Sequence, residues 1–278
     1  MSKIFCSAEI LTRNSGKTLE RCLESVKDFA EIIILDGNST DRTLEIARRF
    51  GCRIFKQYDT DEPLIRISDF SEVRNKGLRL AKYDWFMFID SDEHLSPEAV
   101  DEIRSIVQSS SPSAYAFWQP RKYILDGRVI DCATTYPNQQ MRFFHRQYTE
   151  GFIKPVHERI NLKSGAKIGQ LKGIEYIPVD PLVGLNERWT RYIKKEEEMT
   201  RGASRQKILR LILRYLALFL LYFVRYLRNL VLCQGSRMPL RYEWARHKYL
   251  LLVVLKLLWR FVWPKPQITN SKSQTNPK

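Results

Sequence analysis

Trp85-Phe86-Met87-Phe88-Ile89-Asp90-Ser91-Asp92-Glu93 carries an apolar strand straight into two carboxylates one residue apart. Extended side chains alternate faces with period two, so Asp90 and Asp92 project to one side and Ser91 to the other. Two oxygen donors therefore converge where the strand ends. Mg²⁺ and Mn²⁺ take one or two protein carboxylates and keep their other positions for water and substrate phosphates, so the ligand expected there is a nucleotide diphosphate. A competing reading makes Asp-Ser-Asp a turn ahead of a helix that is capped by Ser96-Pro97-Glu98.

Upstream, strand and helix patterns alternate. Ile4 to Leu11 reads as a strand and Gly16 to Phe29 as a helix with apolar residues at Leu19, Cys22, Leu23 and Val26. Glu31 to Leu35 reads as a short buried strand. A helix then starts at Ser39 or Thr40 and is stopped by Gly51. Arg53 to Lys56 predicts a third strand, Phe70 to Ala81 a helix and Trp85 to Ile89 a fourth strand. Such alternation implies a mostly parallel sheet with helices on both faces and ligands outside the carboxyl ends of the strands. From Ala114 to about Pro181 the pattern loosens into mixed strands and loops, read as the acceptor side, with strands at Tyr115 to Trp118, Arg128 to Asp131 and Met141 to His145.

The chain has 278 residues, 44% of them apolar, enough for one sizeable core with an appendage. Its formal charge of +15 is unevenly placed: residues 1–180 hold 26 basic and 26 acidic side chains, residues 181–278 hold 20 and 5. The basic segment is the part expected to meet a polyanion. Five cysteines without a C-x-x-C pair indicate neither a zinc site nor a disulfide framework, and a reducing cytosol fits them. The N-terminus enters an apolar strand without a signal-peptide pattern, so membrane contact is expected from the cytoplasmic side.

Four elements in order, Leu11-Thr12-Arg13-Asn14, Asp36-Gly37-Asn38-Ser39-Thr40-Asp41, Arg74-Asn75-Lys76-Gly77 and Asp90-Ser91-Asp92-Glu93, resemble those of a family 2 glycosyltransferase of GT-A fold. Leu11 stands where that family usually has proline, and Arg13 where it has an aromatic residue. Tyr136-Pro137-Asn138-Gln139-Gln140-Met141-Arg142-Phe143-Phe144 and Pro155-Val156-His157-Glu158 look like segments of a subgroup that includes bacterial lipopolysaccharide-core glucosyltransferases. The resemblance implies a Rossmann-like α/β domain that binds a nucleotide-sugar through Thr12, Asn14, Asp36, Asn38, Arg74, Asp90 and Ser91. It also implies a divalent metal, Mg²⁺ or Mn²⁺, at Asp90 and Asp92, and an inverting transfer.

Chemistry allows roles to be set beside the resemblance. Asp36 can accept from a base imide or ribose hydroxyl, or close an Asx-turn. Arg74 offers a fork to a phosphate, or a surface ion pair to Glu72 or Asp69. Asp90 contacts ribose or metal-bound water, and Asp92 ligates the metal that offsets charge on the departing diphosphate. Displacement with inversion needs a base for the acceptor hydroxyl, for which Glu158 is the candidate; the alternative is an ion pair to Arg159 or Arg142. His157 is a third metal ligand or a hydrogen-bonded core histidine.

Two C-terminal segments are amphipathic. At 100° per residue, Lys207, Arg210, Arg214, Arg225 and Arg228 fall within an arc of about 60°, with Leu, Phe and Tyr elsewhere. Tyr242 to Trp263 repeats this design, with Arg246, Lys256 and Arg260 inside about 80°. The apolar run Tyr215 to Val224 is shorter than the roughly 20 residues that span a bilayer, and cationic stripes beside Leu/Trp faces suit a helix lying among anionic headgroups. The alternative is a helical hairpin packed on itself and on the body with its basic stripes solvated. Nucleic acid is not an expected partner, because exposed stacking aromatics and glycine-rich loops do not accompany the basic residues.

The expectation is a catalytic domain over 1–180, membrane-associating helices over 181–264 and a disordered tail over 265–278. The predicted protein lies at the cytoplasmic face of the membrane, as a peripheral enzyme. It transfers a sugar, with a UDP-sugar as first candidate donor, to a lipid-linked, lipopolysaccharide or cell-surface glycan acceptor. The rivals are a nucleotidyltransferase of similar fold, for which Ser15-Gly16-Lys17 supplies only one glycine, and an inactive membrane-bound nucleotide-binding scaffold.

Overall fold

A computed structural model describes residues 2–155 and 158–263. His157 and the tail beyond 263 lie outside the described residues, so the metal role of the one and the disorder of the other receive no structural reading. The elements run β1 (Ile4–Thr12), α1 (Leu19–Val26), β2 (Phe29–Asp36), α2 (Thr43–Arg49), β3 (Arg53–Lys56), α3 (Phe70–Leu80), β4 (Trp85–Asp90), β5 (His94–Leu95), α4 (Pro97–Gln108), β6 (Ala116–Leu125), β7 (Arg128–Val129) and β8 (Asn138–His145). They continue with β9 (Thr149–Ile153), β10 (Arg159–Leu162), β11 (Ile168–Gln170), β12 (Glu175–Pro178), α5 (Leu182–Met199), α6 (Arg205–Leu232) and α7 (Leu240–Val262). One compact unit is built from Met1–Val129 and Pro137–Pro178, the other from Ile130–Tyr136 and Val179 onward.

In the first unit the main sheet has the order β3-β2-β1-β4-β8-β6-β12-β5. Its half β3-β2-β1-β4 is parallel, whereas β8 runs antiparallel to both β4 and β6, so the sheet is mixed rather than mostly parallel. Period-two alternation divides the core. Ile32, Ile34, Trp85, Met87 and Ile89 pack on one side with α1 and α4, while Ile33, Leu35, Phe86 and Phe88 pack on the other with Val73 of α3.

The helix expected over Gly16 to Phe29 is shorter, because Phe29 is buried as the first residue of β2. Neither Ser39 nor Thr40 caps α2; Ser39 bonds Asp36 instead. The turn and the helix cap of the competing reading of the Asp-Ser-Asp stretch are both formed. Asp90 ends β4, and just beyond the exposed Asp92 a short strand begins before Ser96 caps α4, its hydroxyl accepting from Ala99 N at 3.2 Å behind Pro97 at the first turn.

In the second unit α5, α6 and α7 pack through Ile208, Ile212, Val253, Val254 and Leu257. The excursion Ile130–Tyr136 is fastened to this unit. Cys132 is disulfide-bonded to Cys233, 101 positions away with Cα atoms 6.2 Å apart, which corrects the expectation that no disulfide forms. Isolated cysteines show no spacing motif, and only the fold brings such a pair together. The carboxylate of Glu243 accepts from both the backbone N and the hydroxyl of Thr134, and Ser236 N donates to Asp131 at 3.0 Å. Among the described residues no helix is long and apolar enough to cross a membrane.

Candidate active site

β2, β1 and β4 are adjacent parallel strands, with Thr12 opposite Asp36 and Leu11 opposite Asp90. Their carboxyl ends therefore deliver two groups of predicted residues to one edge. The first is a loop network. Asp36 Oδ1 accepts from the hydroxyls of Thr12 at 2.7 Å and Ser39 at 2.6 Å, and Oδ2 accepts from Ser39 N at 2.7 Å. The Asx-turn is formed, and Oδ2 has a single donor there. Asn14 and Asn38 both adopt left-handed backbone, with φ of 50° and 55°. Asn14 Oδ1 accepts from Thr40 N at 2.8 Å, and Asn38 Nδ2 donates to the carbonyls of Thr60 and Glu62. Thr12, Asn14, Asp36 and Asn38, all predicted to bind nucleotide, thus also lock the loops after β1, β2 and β3 together.

The second group is a buried chain of alternating charge. Glu9 lies mid-strand in β1 and faces α3, where Arg74 Nη1 donates to it at 3.2 Å. Arg74 Nη2 donates to Asp90 Oδ1 at 2.6 Å, and Arg142 on β8 donates to Asp90 Oδ2 and to Glu93 at 3.0 Å each. Arg121 pairs with Glu93 and, at 3.0 Å, with Glu175. The guanidiniums of Arg74 and Arg142 lie 4.6 and 4.7 Å from the Phe88 ring centroid, both in cation–π range. Gly77 makes room for this arrangement, because a Cβ there would fall on Glu9 Oε1.

Arg74 is therefore not a surface residue paired with Glu72 or Asp69. It is 1% exposed, and Asp69 caps α3 instead by accepting from Glu72 N. Glu158 approaches Arg74 Nε at 3.7 Å rather than pairing with Arg159 or Arg142. The side chain of Asp90, between Arg74 and Arg142, is 45% exposed and is where the charge chain opens to solvent. Beyond it Asp92 is exposed, and the hydroxyl of Ser91 lies 2.8 Å from that of Ser15.

Burial pushes the carboxyl of Glu9 up to about 7 even against the pull of Arg74. Burial also drives Glu93 well above the carboxylate range, with Arg142 opposing and Glu175 reinforcing the rise. For Asp90 burial likewise favours the neutral form, but Arg142 and Arg74 together prevail and hold it well below its ordinary value. Asp90 is thus the ionised middle link of a network in which Glu9 and Glu93 retain protons readily.

Sequence reasoning did not assign Glu9, Glu93, Arg121 or Glu175 to the site, and saw Arg142 only within a motif and as a possible partner of Glu158. One signal was available. A glutamate inside the apolar run Ile4 to Leu11 cannot stay ionised in a core without a partner, so it pointed to a buried cation on the facing helix.

As a site for a divalent metal, the protein's own donor set is sparse. Among the described residues no group of three or more His, Cys, Asp or Glu side chains is gathered to hold one, and each Asp90 oxygen already accepts from a guanidinium. The hard carboxylate of Asp92, exposed beyond the ionised Asp90, fits a cation that draws its other ligands from diphosphate and water.

This parallel half-sheet, with carboxylates at the ends of β2 and β4 and an antiparallel extension through β8, defines a GT-A type α/β domain. The sequence model described as glycosyl transferase family 2 matches residues 7–154, and the chain belongs to that family. A TPR repeat-containing protein of Synechococcus elongatus is 34% identical over 154 residues, which cover 55% of this chain and 34% of that protein. An uncharacterized glycosyltransferase of Rickettsia bellii is 34% identical over 120 residues, covering 43% and 38%. The chain thus spans about a third of the length of the curated relatives it matches. A mannosyltransferase of Pyrobaculum calidifontis, solved with GDP-Man and Mn²⁺, shares the fold with a TM-score of 0.52 at 13% identity, over 93% of this chain and 88% of that one.

Proposed function

We propose that the chain is an inverting, metal-dependent glycosyltransferase that moves a sugar from a nucleotide diphosphate donor, a UDP-sugar first among the candidates, to a lipid-linked or lipopolysaccharide-type glycan at the cytoplasmic face of the membrane. The observation that carries this reading is the placement of Asp36 and Asp90 at the carboxyl ends of β2 and β4, the two parallel strands that flank β1, with Asp92 exposed beyond them. Asp36 Oδ2 is the acceptor available to the base, Asp90 serves ribose or metal-bound water, and Asp92 holds the metal. When bound, that metal supplies Lewis-acid stabilisation of the leaving diphosphate. The Pyrobaculum mannosyltransferase of like fold was solved with a nucleotide-sugar and a divalent metal, GDP-Man and Mn²⁺, the ligand classes proposed for this chain.

The test is thermal stabilisation by UDP, GDP, CDP and dTDP with and without Mn²⁺, since a ligand that binds only the folded state raises its stability. A metal-dependent shift with one nucleotide, lost in Asp92→Ala, is expected. No shift with any nucleotide would reject the donor site.

Membrane attachment rests on the outer face of α6. Leu209, Leu213, Leu216, Leu220, Phe223 and Leu227 are all exposed and share an arc of about 80°, centred about 130° from the arginine stripe. Such a face beside Arg210, Arg214 and Arg228 suits insertion to headgroup depth in anionic lipid, which would confine the enzyme near an amphiphilic acceptor. Flotation with phosphatidylglycerol vesicles is expected, and should be lost on combined Leu216→Glu, Leu220→Glu and Phe223→Glu while the nucleotide-induced shift persists. Equal flotation of this variant would refute the assignment.

A further inference from the structure

The consecutive residues Arg74 and Asn75 of α3 engage different neighbours. Arg74 enters the charge chain. Asn75 instead makes the two hydrogen bonds that a neighbouring strand would make: its Nδ2 donates to the Phe152 carbonyl at 2.9 Å and its Oδ1 accepts from Phe152 N at 2.8 Å. A side-chain amide thereby stands in for a peptide group along the edge of the two-stranded sheet formed by β9 and β10, where Phe152 lies opposite Ile160.

The strand is shaped for this contact. Gly151 has φ of 104°, and a Cβ at that position would lie 2.5 Å from Asn75 Oδ1, so neither the backbone conformation nor the close approach admits a larger residue. Thr149 holds the turn from the other side, its hydroxyl accepting from Gly151 N and donating to the Asn161 carbonyl, both at 2.9 Å. At the start of α3, the Phe70 N–H, which has no partner within the helix, donates to the Pro155 carbonyl at 2.9 Å. The Phe152 ring meets Phe88 edge-on at 5.1 Å, and Phe88 is the ring over which Arg74 and Arg142 lie. The β9–β10 hairpin, whose connection carries Glu158, is thus fastened to the helix and ring that orient the Asp90 carboxylate.

We propose that Asn75 is a positioning residue that sets the place of Glu158 relative to Asp90 by clamping Phe152. Its catalytic consequence rests on the reading of Glu158 as the base. The clamp itself does not.

The experiment compares amide hydrogen exchange at Phe152 in the wild type, Asn75→Ala and Gly151→Ala, alongside UDP release from UDP-glucose with Mn²⁺ and water as acceptor. Both variants should exchange at Phe152 at least tenfold faster, with α1 and β1 unchanged, and lose about 10- to 100-fold in kcat at unaltered donor KM, as expected when a catalytic group is displaced by about an ångström. Gly151→Ala reaches the contact from the strand side, so a folding defect in one variant leaves the other to decide. Wild-type exchange at Phe152 in Asn75→Ala would overturn the clamp, whatever turnover does. Faster exchange with kcat and KM both unchanged would overturn the positioning role. Wild-type turnover in Glu158→Gln would sink the base assignment alone, because the exchange result stands without it.

Discussion

Replacing Arg142 by alanine is expected to destabilise the catalytic unit by about 3–5 kcal/mol, the range for breaking a buried ion pair by deleting one partner. Arg142 is 2% exposed and lies among Asp90, Glu93 and Glu175, with its guanidinium over Phe88. Deletion strands Glu93 and Glu175 in the core with Arg121 as their remaining cation and removes one of the two guanidiniums that keep Asp90 ionised. Arg142→Met, which restores length and apolar contact without charge, should rescue little. The cost should also depend on pH. Burial already raises Glu93 well above its ordinary value against the pull of Arg142, so in the variant Glu93 takes up a proton on acidification and its uncompensated charge disappears. The loss is therefore smaller at pH 5 than at pH 8, because below the raised native value the folded state binds a proton that the unfolded state does not. Urea unfolding at both values measures it. A loss below about 1 kcal/mol at pH 8, or one that grows on acidification, would show that the buried chain is not the stabilising unit inferred from its geometry.

How much of this was legible in the sequence depends on the range of the forces involved. Periodicity placed β1, β2, β3, α3, β4, α6 and α7, because alternation and amphipathicity are local consequences of burial on one face or two. Phe29 was assigned to a helix because an aromatic residue at a helical spacing from Leu19 and Val26 reads the same whether it closes a helix or opens a strand; its burial in β2 is set by the pairing of Ile4 with Phe29 across the sheet. The same limit explains Arg74. Its motif placed it at the site, but the partners that bury it, Glu9 and Glu158, lie 65 positions before and 84 after it. Cys132 and Cys233 are likewise joined only because Ile130–Tyr136 leaves the catalytic unit and packs with the helices. The placement of residues at strand ends was readable, whereas the charges that hold them in place were not.

Glu158→Gln is expected to lower turnover by at least about 10³-fold while leaving donor binding and stability near those of the wild type. In displacement with inversion the acceptor oxygen bonds to the anomeric carbon as the bond to the diphosphate oxygen breaks, the leaving group departing with the electron pair. The acceptor proton must pass to a base, and general-base catalysis typically contributes about 10²–10⁴-fold. Glu158 is mostly buried, and its carboxylate is 3.7 Å from Arg74 Nε. That guanidinium also pairs with Asp90, which stays ionised, so when Glu158 takes up a proton Arg74 keeps an anionic partner and is not left as an uncompensated buried cation. Glutamine preserves shape and a hydrogen-bonding carbonyl but cannot accept the proton, which separates chemistry from binding. The expected signature is an unchanged nucleotide-induced thermal shift and donor KM with kcat lost. Turnover near the wild-type value would assign Glu158 to the charge network alone, and the proton would then have to leave through a different carboxylate at the rim, of which Asp92 is exposed.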